Sequence, residues 1–259
     1  MDPVRFAQAC EPKSWYFRLV VTASKPSLLD QLRAQAEAVR AYEAAARRPV
    51  EKARGEIDSC LWRAFRWFEE VMSHLEVIRP TISRQFELGR ILTMDRPQLD
   101  RGFVSFRRRG LALQEVLDHV EVYYRLTGSQ PFVLRIHPSA AIGVEERLRA
   151  STMSFQYETE QDDRGRVRHG VFRVEPSMRA SVLFAPDYER QVVDVTLCNV
   201  DRFESVRLSF QPDRIDVAAL EDLVRLMLGE PNGFLYRAPL ALIKTQHDEA
   251  REAPPAQRA

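Results

Sequence analysis

Residues 192–210 read Val192-Val193-Asp194-Val195-Thr196-Leu197-Cys198-Asn199-Val200-Asp201-Arg202-Phe203-Glu204-Ser205-Val206-Arg207-Leu208-Ser209-Phe210. Val193, Val195 and Leu197 alternate with Asp194 and Thr196, and Val206, Leu208 and Phe210 alternate with Arg207 and Ser209. A period of two predicts two half-buried strands, here joined by a turn at 199–201. Met153, Phe155 and Tyr157 alternate in the same way, and 167–174 and 179–185 are strand-like. Turn signals at Asp162-Asp163-Arg164-Gly165, Glu175-Pro176 and Pro186-Asp187 separate these runs, so the region 152–211 is expected to be a five-strand antiparallel meander. Its apolar face needs a cover. Asp216 as N-cap, the stripe Val217, Leu220, Leu223, Val224 and Met227, and Gly229 as a stop predict a helix over 216–228 that supplies one.

Upstream, Phe132–Ile136 reads as a strand and 144–150 as a short helix. Leu113, Val116, Leu117, Val120 and Tyr124 have three-to-four spacing and predict a helix over 111–126 that ends before Gly128. Two short β-like runs, 86–93 and 102–107, flank Pro97. Towards the N-terminus, Trp15 to Val21 is a candidate strand. Leu28, Leu32, Ala36, Val39 and Tyr42 then mark one helix over 28–46, and Ile57, Leu61, Phe68, Met72 and Leu75 mark another over 50–78. A turn at Arg47-Arg48-Pro49 would make these an antiparallel helical hairpin. Helices segregated from an antiparallel sheet predict the α+β class. The expected organisation is residues 1–80 as strand plus helical hairpin, 81–245 as an α+β domain, and 246–259 as a polar, proline-bearing, disordered tail.

Composition narrows the function. The chain has 259 residues, 45% of them hydrophobic, with 38 Lys plus Arg against 37 Asp plus Glu. That is an ordinary globular composition with no global field towards nucleic acid or anionic lipid. Lysine occurs only at 13, 25, 52 and 244, so the basic residues are nearly all arginine. This pattern suggests GC-rich, bacterial coding and lowers the weight of any one arginine cluster. Cys10, Cys60 and Cys198 are odd in number and far apart, which favours a reducing, cytoplasmic setting over a disulfide framework. No run of about 18 apolar residues and no signal-peptide pattern occurs, so neither a membrane span nor secretion is expected.

The familiar catalytic and phosphate-binding motifs are missing, and His74-Leu75-Glu76 lacks the downstream Pro-Cys-x-x-Cys of a zinc deaminase. No cofactor or metal is expected. On the helix read at 111–126, Glu115, Asp118, His119 and Tyr123 would lie within two turns, the way a carboxylate orients an imidazole base; the simpler reading is a solvated helix face. Arg107-Arg108-Arg109, after Phe103 and Phe106, is the candidate nucleic-acid contact, because arginines grip phosphates while rings stack on bases; arginines leaving a strand into solvent are the plainer account. Successive strands of a meander would bring loops 159–166 and 185–190 to one end, gathering Glu160, Asp162, Asp163, Asp187 and Glu189, which could hold a divalent cation or present an acidic docking patch with Tyr188 as a candidate protein anchor; ordinary polar hairpin tips are the plainer account. The strand face opposite the core carries Asp194 and Arg207 as a candidate polar pocket, with Thr196 directly across from Arg207.

Trp62, Phe65 and Trp67 lie outside the narrow stripe of the second helix and are the candidate protein interface. These features favour a non-enzymatic cytoplasmic interaction or assembly protein whose partner is another protein or a second copy of itself. A nucleic-acid-associated accessory protein using the 107–109 arginines is the alternative. An enzyme assembled from distant residues, with His119, His137 and His169 as first candidates, is the third.

Overall fold

The computed structural model describes residues 27–111 and 114–245. The strand expected at 15–21 and the tail expected at 246–259 lie outside them. The chain divides into two compact units, Met1–Arg48 and Pro49–Ala259.

Helix α1 spans Leu28–Ile78 without interruption, so residues 47–49, where a hairpin needed its turn, are helical. A proline inside a helix loses one N–H bond and crowds the carbonyl four residues back. The strong helix formers Ala44-Ala45-Ala46-Arg47-Arg48 that precede Pro49 favour continuation over termination. In the second unit Ile57, Leu61, Ala64, Phe68, Met72 and Leu75 form one buried stripe, part of a core shared with the strands. The division between the two units falls ahead of that stripe.

A hairpin of β1 (Gln85–Leu88) and β2 (Leu92–Asp95) follows. Two long strands come next, β3 (Gln98–Leu111) and β4 (Gln114–Thr127), then β5 (Phe132–Ile136), helix α2 (Ala141–Ala150), β6 (Phe155–Gln161) and β7 (Val167–Val174). The chain continues through β8 (Ser177–Asp187), β9 (Val192–Cys198), β10 (Glu204–Phe210), helix α3 (Val217–Leu228) and β11 (Leu240–Thr245). Helices with antiparallel sheets make this an α+β fold.

The helix expected over 111–126 is β4. Val120, Val122, Tyr124 and Leu126 are all buried, alternating with less buried Glu121, Tyr123 and Arg125. The register slips between Arg107 and Arg108, so Asp118 is an extra residue opposite β3, and Val116 and Leu117 are buried consecutively. This bulge imitates helical spacing in the sequence.

The single meander is also corrected. All five expected strands form, yet they belong to two sheets: β5-β7-β6, and a six-stranded sheet ordered β11-β10-β9-β8-β4-β3. The edge of β8 that a meander would offer to β7 is taken by β4, paired from Val120↔Phe184 to Thr127↔Ser177. Helix α3 does help to cover the large sheet: Leu220, Leu223 and Met227 join the same core as Val195 and Leu208. Asp216 caps it by accepting from the Ala219 N–H at 2.8 Å. Helix α1 meets the sheet at Gly102, where a Cβ would lie 2.2 Å from Met72 Cε and 2.8 Å from the Tyr123 carbonyl oxygen. Only glycine leaves that room.

Candidate functional site

The six-stranded sheet has two unlike faces. Val122, Tyr124, Val182, Phe184, Val195 and Leu208 point into the core. Pairing aligns their neighbours on the other face in rows: Phe103, Tyr123, Ser181, Cys198 and Ser205 in one, and Ser105, Glu121, Leu183, Thr196 and Arg207 in the next. None of these outer side chains is buried. Asp194 and Arg207 lie on this face as expected. Arg207 Nε donates to Thr196 Oγ1 at 3.3 Å, and Ser209 Oγ donates to Asp194 Oδ1 at 2.5 Å.

Asp194 also borders a cleft of about 640 Å3 whose wall includes Arg54, Arg109, Asp187, Tyr188 and Gln191. Asp187 ends β8 with a side-chain turn, its Oδ1 accepting from the Glu189 and Arg190 N–H groups at 3.1 and 2.9 Å, which holds the loop that carries Tyr188. The Tyr188 hydroxyl donates towards Asp58 Oδ1 at 2.7 Å and lies 2.9 Å from the Leu117 carbonyl oxygen. Arg54 and Arg109 stand over its ring, 5.9 and 6.0 Å from the centroid. Arg109 is 3.5 Å from Asp118, whose other oxygen is 3.0 Å from His119 Nδ1.

The 107–109 arginines do not form one patch. Strand alternation places Arg107 opposite His119 on the outer face. Arg108 lies over the rings of Trp62 and Phe106, at 5.4 and 5.6 Å, and pairs with Glu115 at 3.4 Å. Arg109 turns to Tyr188. Trp62 and Phe65 pack against Phe106, with centroids 4.9 and 5.0 Å away, and Trp67 against Phe68 at 5.0 Å. These three half-buried side chains face their own core rather than standing free.

The helical group around His119 loses its geometry in a strand. Glu115 goes to Arg108, Tyr123 to the outer face beside Phe103, and only the Asp118–His119 contact remains. His137 bonds Ser139 at 2.8 Å, and His169 lies 3.9 Å from Glu160. Glu160, Asp162 and Asp163 belong to the β6–β7 hairpin and Asp187 and Glu189 to the large sheet, so the meander argument for gathering them fails. Among the described residues no three His, Cys, Asp or Glu side chains are placed to hold a metal ion, and no helix is long and apolar enough to cross a membrane. No family model, curated protein or solved structure matches the chain.

Sequence reading missed Arg54 and Asp58, which lie 130 residues or more from Tyr188 along the chain. It also missed the outer-face pair Phe103 and Tyr123. The alternation of Val120, Val122, Tyr124 and Leu126, with β-branched and aromatic enrichment, was the signal that could have revealed the latter.

Burial pushes the phenol of Tyr124 far up, and burial followed by the hydrogen bond to Asp58 does the same for Tyr188. A raised folded-state value means that the stabilisation is complete below the unfolded value, near 10, and is lost as pH rises beyond it. Alkaline titration followed by phenolate absorbance and circular dichroism is expected to show Tyr124 and Tyr188 ionising only as the fold is lost. Both of these phenolates forming near pH 10 with the dichroism unchanged, as read by comparison with Tyr124→Phe and Tyr188→Phe, would contradict this assignment.

Proposed function

We propose that the chain is a non-enzymatic interaction and assembly protein whose association surface is the helical stripe Leu28, Leu32, Val39 and Tyr42. The observation that supports this reading is their exposure, 73%, 53%, 57% and 78%. With Gln35 as the one polar member, these positions recur with the fours and threes of a heptad. A 3.5-residue period keeps an apolar seam turned towards another helix of the same period, so a second copy of this stripe is the occupant that fits. A single polar residue within such a seam fixes the register of the pair at some cost in stability. Burying Leu32 or Val39 against such a partner is worth about 1.5 to 3 kcal/mol each.

Sedimentation velocity of the full chain from 1 to 100 µM tests the reading. Concentration-dependent association is expected, and Leu32→Glu with Val39→Glu should raise the dissociation constant at least tenfold while leaving circular dichroism and the thermal transition unchanged. A monomer throughout that range, or association indifferent to both substitutions, rejects it.

A further inference from the structure

We propose that the outer face of the six-stranded sheet binds single-stranded nucleic acid, with Phe103 as a stacking platform and Arg101, Arg107 and Arg207 as phosphate contacts. This goes beyond assembly through residues 28–42 and does not depend on it.

Three features of the face support it. The first is charge. Arg101, Arg107, Arg125, Arg179 and Arg207 lie on it in the register of β3, β4, β8 and β10, against Glu121, Asp194 and the Asp100 carboxylate that reaches Arg125. Glu121 pairs with Arg179 at 2.8 Å, Asp194 lies 3.9 Å from Arg190, and Arg125 pairs with Asp100. Arg101, Arg107 and Arg207 are exposed and have no carboxylate within 4.0 Å among the described residues. Arg101 shares the field of Asp100, while Arg107 and Arg207 stand clear of the carboxylates on this face, so the face keeps a net cationic charge.

The second is the aromatic pair. Phe103 meets Tyr123 edge to face, and the Arg179 guanidinium covers Tyr123 at 4.4 Å from its centroid. Phe103 itself is 49% exposed, a large flat ring on a β-strand that the protein leaves open. A nucleobase can stack there, because every base has a π-face.

The third is dimension. Arg101 and Arg107 are six residues apart on β3, about 20 Å, and β3 and β10 are four strand spacings apart, about 19 Å. A patch of that size suits on the order of four nucleotides. Unpaired strands are favoured over duplex because a stacking ring needs bases that are not already stacked on both sides.

The test uses the full chain and fluorescein-labelled oligo(dT) and oligo(U) 15-mers, read by anisotropy between 50 and 300 mM salt. Saturable binding is expected, with log K falling by about 2 per unit of log salt for three phosphate contacts on a single strand. Phe103→Ala should weaken binding about 5- to 150-fold at every salt concentration, with circular dichroism as the check on folding. Phe103→Leu keeps the apolar bulk without the ring and should lose the same factor, so the outcome does not rest on one variant. The triple variant Arg101→Ala, Arg107→Ala and Arg207→Ala should flatten the salt slope, and Arg164→Ala with Arg168→Ala on the β6–β7 hairpin should leave it unchanged.

The proposal is overturned by any of four results: no binding at 50 mM salt, equal affinity for a 15-base-pair duplex, equal affinity for a poly-glutamate chain of the same length, or indifference to both Phe103 variants. A loss at Arg164 and Arg168 as large as at the triple variant would also overturn it, since the attraction would then be diffuse.

Discussion

Phe68→Ala is expected to lower the unfolding free energy by about 3 to 5 kcal/mol. Phe68 is fully buried on α1, its ring centroid 5.9 Å from that of Phe184 on the inner face of the sheet. Removing it empties the place where helix and sheet meet, and neither backbone can close the gap without disturbing its own hydrogen bonds. Phe184→Ala should cost a similar amount. If the two share one cavity, the double variant will cost less than the sum, and the shortfall measures their coupling. Trp67→Ala is the internal control. Trp67 is larger but only half-buried, so its truncation should cost clearly less than that of Phe68. Urea denaturation of the four variants reads all of this, and a Trp67 variant weaker than the Phe68 variant would show that the helix presents a different side to the sheet.

Leu208→Ala should cost about 2 to 5 kcal/mol, whereas Asp194→Ala and Ser209→Ala should each cost under about 1. Leu208 is fully buried in β10 between β9 and β11, and the same strand turns Ser209 outward to donate to Asp194. Two residues adjacent in sequence therefore test the two faces of one sheet. Among the described residues the Asp194 carboxylate contacts Ser209 and, at 3.9 Å, Arg190, on a face that water reaches. An Asp194→Ala cost equal to that of Leu208→Ala, measured by chemical denaturation, would mean that something covers the outer face in the folded chain.

The strands at 192–198 and 204–210 were legible because a hydrophobic period of two arises where successive side chains point to opposite faces of a half-buried sheet, and the pairing Arg207↔Thr196 follows from the turn between them. Helix α3 was legible for a similar reason: its cap, stripe and stop all agree. The candidate site was much less so. Arg107, Arg108 and Arg109 are a cluster in sequence but face three different environments, since a strand sends neighbours to opposite sides and a bulge at Arg107/Arg108 redirects the rest. Trp62 and Phe65 read as surplus surface until Phe106 supplies their partner from β3.

What the sequence determined by itself is local: the elements whose apolar spacing is unambiguous, the α+β class, and the mixed charge. What only the tertiary structure decided is which strand lies beside which. Val116, Leu117, Val120 and Tyr124 fit a helical period as well as a bulged strand, and pairing with β3 along the 14 residues of β4 decides in favour of the strand. Once β4 occupies the edge of β8, β7 must pair elsewhere, and the outer face becomes an array of Phe103, Tyr123, Arg179 and Arg207 drawn from four strands. Hydrogen bonding between strands is satisfied by any extended neighbour, so it carries little information about partner choice; that choice is made by the competition among all the strands for a limited number of edges.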